Sequence, residues 1–387
     1  MKLTCQKELF SLDPAVHYIN CAYMAPLLKT VETAGVEGLL SKRNPQTIDK
    51  SSFFDMLPKL RQSIAQLIHA ADPNQIAIVA AASYGLSTAA QNIPCSAGQN
   101  VIVVKDEFPS NYYVWERLCK EKGMNLITIS PDENAADRST NWNEKIIAAI
   151  NNETAIVAIE NTHWMDGTLF NLAAISERLQ EVNGYFIIDG TQSVGMLDID
   201  VTDLKIDALV CSGYKWLLGP YSIGMAYYSE RLLNGKPIEE NWINRTRSDQ
   251  FASLTDYSHE YRPGAIKYDV GETSNFILVP MFLAAVNQLL DWGVKNMHDY
   301  VTELSQPMID TFREHGLVDK NEKGFSSHLF SVQMPHGFNV EALSATFAAN
   351  NVFTSVRGTG LRISPNIYNT KEDLDLLQGL ILESLKQ

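Results

Sequence analysis

Cysteine is scarce in this chain, and basic residues are outnumbered. The five cysteines are Cys5, Cys21, Cys95, Cys119 and Cys211; their number is odd and no two stand in Cys-x-x-Cys spacing. That pattern speaks against a disulfide framework and a cysteine-ligated zinc site, and fits free thiols in a reducing, cytoplasmic compartment. No cysteine follows Cys211. Lysine and arginine number 31 against 45 aspartates and glutamates, a formal net charge of −14. Spread along the chain, this balance argues against nucleic acid or an anionic membrane as the main partner, and leaves room for a local anion pocket. Long apolar runs are missing as well. The start, Met1-Lys2-Leu3-Thr4-Cys5-Gln6-Lys7-Glu8, lacks the apolar stretch of a signal peptide. The most apolar segment, 276–286, is too short to span a bilayer and contains Pro280.

Several motifs are absent too. The only Gly-x-Gly is Gly358-Thr359-Gly360, and Ile363 stands where a dinucleotide fingerprint needs its third glycine. There is no Walker A lysine loop, no His-Glu-x-x-His and no Gly-x-Ser-x-Gly elbow. These gaps disfavour a dinucleotide enzyme, a P-loop enzyme, a zinc hydrolase and an α/β-hydrolase.

What is present is the composition of a globular enzyme: 387 residues, 45% hydrophobic and 20% charged, enough to bury a large core in roughly two domains. Short β-branched runs at 75–80, 100–104, 125–130, 154–160, 185–189, 208–212 and 224–229 alternate with helical patterns at 86–92, 114–122, 143–151 and 172–182. Near-continuous apolar strands alternating with helices predict an α/β domain over 21–269, built on a mostly parallel seven-stranded sheet covered on both faces. Residues 270–387 read as a smaller α+β domain. Its helical stretch is interrupted by Pro280 and Pro307, followed by short strands at 327–333 and 360–364 around a helix at 340–350, and a final helix at 371–385. Residues 1–20 are expected to pack with that smaller domain. The polar segment 239–263, with Arg245, Arg247 and Arg262, reads as a long connection.

Three places stand where predicted strands end, the position at which open α/β sheets bind ligands. Asp189 closes the apolar run Phe186-Ile187-Ile188 and is followed by Gly190-Thr191-Gln192; such a carboxylate either caps the turn or serves a ligand, and Gln192 could reach the same spot. Lys215 follows Val210-Cys211-Ser212-Gly213-Tyr214 and precedes Trp216-Leu217-Leu218. Apolar surroundings would depress its pKa and make the amine nucleophilic, whereas a lysine that snorkels to solvent is the plainer alternative. Ala80-Ala81-Ala82-Ser83-Tyr84-Gly85 follows a strand and opens a helix, offering either an anion site or an ordinary serine N-cap. Together, a phosphate cradle, an aspartate and a nucleophilic lysine suit pyridoxal 5′-phosphate (PLP).

On these residues the chain resembles the class V aminotransferase-type PLP enzymes of fold type I, the superfamily of cysteine desulfurases, kynureninases and several aminotransferases. The resemblance runs from Tyr18-Ile19-Asn20-Cys21-Ala22-Tyr23 to Leu361-Arg362-Ile363-Ser364-Pro365 and is most specific in Asp189-Gly190-Thr191-Gln192 with Ser212-Gly213-Tyr214-Lys215. It implies that Lys215 is the Schiff-base lysine, Asp189 the partner of the pyridine nitrogen and Gln192 that of the phenolic oxygen. It implies Ser83, Tyr84, Ser212 and Tyr214 as phosphate ligands, Tyr214 standing where desulfurases often have His. Phe108, in Glu107-Phe108-Pro109-Ser110, resembles a kynureninase-side turn and would stack on the ring. Trp164 falls where the family often has a polar residue. Thr273 resembles the residue that reaches a neighbouring subunit's phosphate, with Glu272 as an insertion, so a homodimer with a shared active site is implied. Arg362 matches the clamp of the substrate α-carboxylate, and Arg357 could be a second anion contact.

A cysteine desulfurase of the usual kind needs a nucleophilic cysteine before that arginine; only Gly358-Thr359-Gly360-Leu361 separates Arg357 from Arg362. The reading is a PLP-dependent aminotransferase acting on an amino acid and keto acid, preferred on the family's breadth. A lyase of kynureninase or selenocysteine type and a catalytically silent PLP-binding protein stand as alternatives, the second opposed by the intact lysine, aspartate and arginine.

Overall fold

The computed structural model describes residues 2–133, 135–319, 324–358 and 360–386; Thr359, the middle of the Gly-x-Gly noted above, lies outside them. A short strand β1 (His17–Tyr18) precedes helices α1 (Lys29–Ser41), α2 (Lys50–Phe54) and α3 (Met56–Leu67). The alternating region follows: β2 (Ile76–Val79), α4 (Ala82–Asn92), β3 (Asn100–Val104), α5 (Pro109–Lys122), β4 (Asn125–Ile129), α6 (Arg138–Ala149), β5 (Thr154–Glu160), α7 (Leu172–Glu181), β6 (Tyr185–Asp189), β7 (Ala208–Ser212) and β8 (Gly224–Tyr228). The helices begin where local chemistry says they should. Asp137 and Asn171 cap α6 and α7 by accepting from Thr140 and Ala174 N–H groups, and α5 starts on Pro109 and ends at Gly123 with φ 68°.

These seven strands form one sheet in the order β2-β8-β7-β6-β5-β3-β4. All neighbours are parallel except at β8, which runs antiparallel to both β2 and β7. The fold is α/β with a mostly parallel sheet, as the alternation predicts. Every residue of β2, β3, β5, β7 and β8 is buried, because helices cover both faces; the edge strand β4 alone exposes residues. At roughly 1.5–3 kcal/mol for each buried Ile, Val or Leu side chain, this double cover is the main stabilising layer.

Beyond the sheet come α8 (Leu278–Trp292), α9 (Val294–Glu314), β9 (Phe330–Gln333), α10 (Val340–Ala349), β10 (Val352–Phe353), β11 (Ser355–Arg357), β12 (Gly360–Ile363) and α11 (Lys371–Ser384). The prolines do not interrupt the helices as expected. Pro280 lies in the first turn of α8, where its missing N–H has no helical partner anyway, and Pro307 sits inside α9 without ending it. The break falls instead at Gly293, with φ 78°. Helix α8 buries Phe282, Val286 and Leu289 in the same apolar cluster as Leu209, Cys211 and Trp216 of the sheet region. A separate cluster joins Phe312, Phe330, Phe347, Leu361 and Leu377. There β12 pairs antiparallel with β11 and β9, and β1 adds to β10 in parallel register, His17 opposite Val352. Among the described residues no helix is long and apolar enough to cross a membrane.

Candidate active site

The parallel strands deliver their C-terminal ends to one edge of the sheet, and the first turns of α4 and α5 open there as well. Between them lies a cavity of about 470 Å³ lined by Ser83, Phe108, Glu160, Trp164, Asp189, Gln192, Ser212, Tyr214 and Lys215, among others. Seven of the eleven residues singled out as a cofactor and substrate site thus share one wall, although they come from segments more than a hundred positions apart.

Lys215 does not snorkel: it is 6% exposed. Its Nζ stands 5.4 Å from the centre of the Phe108 ring and 5.8 Å from that of Tyr214. Burial, with Arg362 adding to it, lowers its amine to about 8. Asp189 is buried at the end of β6, and its Oδ1 accepts from the Thr191 N–H at 3.0 Å. Burial pushes its carboxyl up, opposed by the hydrogen bonds from Thr191 and by Lys215. Gln192 is fixed by its neighbours: Trp216 Nε1 donates to its Oε1 at 2.9 Å, and its Nε2 donates to the Ala22 carbonyl at 3.2 Å. The second hydrogen on Nε2 remains for a ligand. Thr191 also ties in Ser212, whose N–H donates to Thr191 Oγ1 at 3.2 Å.

Ser83 is not an N-cap. The cap of α4 is Ala81, whose side chain cannot bond the first-turn amides, so these and the Ser83 hydroxyl face the cavity together. Tyr84 does not line it: its hydroxyl is buried without a hydrogen-bond partner, in the neighbourhood of Glu239. Phe108 caps α5 and meets Trp164 edge-on at 5.4 Å; Trp164 Nε1 donates to the Asp106 carbonyl at 2.7 Å. Thr273 is 3% exposed, with an unpartnered Oγ1, and is not on the cavity wall. It follows Glu272, the additional residue, which adopts φ 57°.

Arg362 and Arg357 approach from β12 and β11. Arg362 is 1% exposed; its Nη1 donates to the Trp164 carbonyl at 2.8 Å, whereas Nε and Nη2 are buried without partners among the described residues. Burial and Arg357 make its charge costly, and a guanidinium does not shed its proton inside a protein, so the group is poised to take an anion. Arg357 lies 5.8 Å from the Trp164 ring centre. The arginines of the long connection are occupied elsewhere: Arg245 with Glu240, Arg247 with the Asp256 carbonyl at 3.4 Å and Arg262 over Phe54.

Sequence reasoning missed Glu160 as a site residue. It closes the apolar strand β5 directly beside Asp189 on β6, and a carboxylate ending an apolar run is the same signal that drew attention to Asp189.

The arrangement can hold a phosphorylated aromatic aldehyde: an amine to attach it, a carboxylate, an amide donor, an aromatic face and a hydroxyl-lined helix start. Comparison with known proteins agrees. The chain is 24% identical over 331 residues to the uncharacterized aminotransferase YcbU of Bacillus subtilis (strain 168), covering 85% of this chain and 82% of that one. It is 21% identical over 377 residues to isopenicillin N epimerase of Streptomyces clavuligerus, covering 95% and 94%. Among solved structures, a variant of C-DES with glycine covalently linked to its PLP cofactor superposes with a TM-score of 0.84 at 17% identity, covering 97% of this chain and 98% of the other. The family model for aminotransferase class-V matches residues 49–377, and the chain belongs to that family.

Proposed function

We propose that this chain is a PLP-dependent enzyme acting on an α-amino acid, and that its reaction is transamination. The observation that carries the reading is the buried Lys215 facing Asp189 across one cavity, its amine held at about 8. The residues present fit the cofactor: a cavity of about 470 Å³ is of ligand size, and the buried, unpartnered Nε and Nη2 of Arg362 await a carboxylate.

PLP bound here would supply an electron sink for the pair left on the substrate Cα. Lys215 is the residue that attaches it, because a depressed pKa leaves much of the amine neutral near pH 7. With the cofactor and an amino acid bound, Lys215 Nζ would be the group placed to take the proton from Cα and carry it within the pocket. Asp189 supplies the negative charge that keeps a ring nitrogen protonated. Gln192 Nε2 would serve the phenolic oxygen, Ser83, Ser212 and Tyr214 with the start of α4 would hold the phosphate, and Phe108 would stand against the ring. Arg362 binds the α-carboxylate in its planar fork, and Arg357 stands as a second cation on the same side. The absence of any cysteine after Cys211 argues against persulfide chemistry on the segment before Arg362. We assign the division 1–20, 21–269 and 270–387, a homodimeric state and a cytoplasmic setting to the same proposal.

The test is spectroscopic. Purified or PLP-supplemented protein is expected to show a visible absorption band that borohydride removes and that Lys215→Ala lacks. An amino-acid panel followed by absorbance should then give the pyridoxamine form with release of a keto acid. A colourless protein that PLP cannot restore would sink the cofactor reading, and alanine with a non-keto product would replace transamination by a lyase reaction.

A further inference from the structure

Two carboxyl groups beside the cavity have no role in the chemistry above. Glu160 ends β5 and lines the cavity; Glu107 immediately precedes Phe108. They are 2% and 6% exposed. Both accept from one donor: the Phe108 N–H lies 2.9 Å from Glu107 Oε1 and 3.3 Å from Glu160 Oε1. The Oε2 of each is buried with no partner. The neighbouring histidine gives them no bond, since His163 turns Nδ1 to Asp166 at 3.0 Å and Nε2 to the Lys105 carbonyl at 3.3 Å. The other polar or charged groups facing the pair are Asp189 on β6, Lys215 beyond β7, Arg362 on β12 and the Asn111 amide on α5. Asp189 sits in register with Glu160, so three carboxyls crowd the strand ends.

Two carboxylates this close, dry and short of donors cannot both ionise. We infer that Glu107 and Glu160 hold at least one proton between them and act as a positioning pair, fixing the Phe108 amide and keeping a second negative charge away from Asp189. The positioning part rests on the PLP reading; the shared proton does not. Burial raises both carboxyls, Glu107 to about 8 and Glu160 well above the usual carboxyl range. At neutral pH the pair thus keeps at least one proton, and it loses its protons as pH rises through the alkaline range.

Infrared spectra of the cofactor-free protein test the proton directly. A carbonyl band of a buried carboxylic acid is expected to persist at about pH 7, where ordinary carboxyls are ionised, and to fade at higher pH. Glu160→Gln and Glu107→Gln should each abolish it, because an amide can donate to the remaining carboxylate and leave no acid. Absence of the band in the wild type, or its survival in both variants, overturns the shared proton whether or not PLP binds. For positioning, the pH titration of the PLP visible band should show an alkaline limb that Glu160→Gln loses, whereas Glu160→Leu, which removes one of the two acceptors of the Phe108 amide, should shift the band at every pH. Superposable titrations of wild type and both variants would leave the pair without a positioning role.

Discussion

Arg362 shows how one side chain can be specific for one ligand. Its guanidinium is buried, yet two of its nitrogens have no partner among the described residues, an expensive state unless an anion completes it. Arg362→Ala should therefore weaken amino-acid binding by about 2 kcal/mol, roughly 30-fold, and leave the PLP absorbance titration nearly unchanged. Arg362→Lys should recover only part of the loss, because an ammonium cannot make the planar double contact. Substrate titrations followed by absorbance decide the matter; equal losses for PLP and amino acid would remove Arg362 from its role. The neighbouring Trp164, which accepts from Arg362 through its carbonyl and meets Phe108 with its ring, links the arginine to the aromatic wall with backbone and side chain at once.

Helix α4 must lie close to the sheet for its first turn to reach the cavity. A Cβ built on Gly85 would stand 2.7 Å from Val210 Cγ1 and 3.0 Å from Ala226 Cβ. Gly85→Ala should consequently cost about 1–3 kcal/mol of stability and weaken PLP binding, because the helix start moves with the helix; chemical denaturation and PLP titration measure the two effects. This element also marks where sequence reading stops. Strands were legible because apolar runs covered on both faces are unmistakable, and Asp189 and Lys215 stood out as polar residues closing such runs. Ser83 and Tyr84 are neighbours in sequence, but consecutive residues in a helix diverge by about 100°, so one side chain faces the cavity and the other does not. Glu160 carried the same signal as Asp189, and its partnership with Glu107 depends on β3 lying beside β5, an adjacency that no local pattern encodes. Likewise the position of Pro280 within its helix, first turn or interior, decides whether it breaks the helix, and that depends on where α8 begins.

Across the whole molecule, buried titratable groups pull stability in opposite directions with pH. His328 is fully buried, its Nε2 2.8 Å from the Gln192 carbonyl, and burial drives its pKa down to about 3. The unfolded chain takes up a proton on this residue near pH 6.5 and the native one does not. Its contribution is therefore intact above pH 6.5 and is lost as pH falls, by up to about 1.4 kcal/mol per pH unit. Glu107 and Glu160 have raised values, so their contribution is full below the ordinary value of 4.5 and is lost as pH rises from there through the folded values, about 8 for Glu107. Denaturation midpoints measured from pH 4 to 7 should fall on acidification less steeply in His328→Gln than in the wild type; parallel curves would show that the histidine is not the acid-sensitive group.

The parallel pairing of β1 with β10 has a consequence for the order of assembly during synthesis. Asn20 Nδ2 donates to the Thr354 carbonyl across 334 positions of chain, and the Asn20–Ser364 bridge lies beside the strand that carries Arg362. Every strand of the large sheet, with Asp189 and Lys215, leaves the ribosome well before β10 and β12 exist. Closing so long a loop is slow, so the cofactor half of the site can take shape on a nascent chain while the N-terminal strand waits, unpaired, for the segment that brings the substrate arginine.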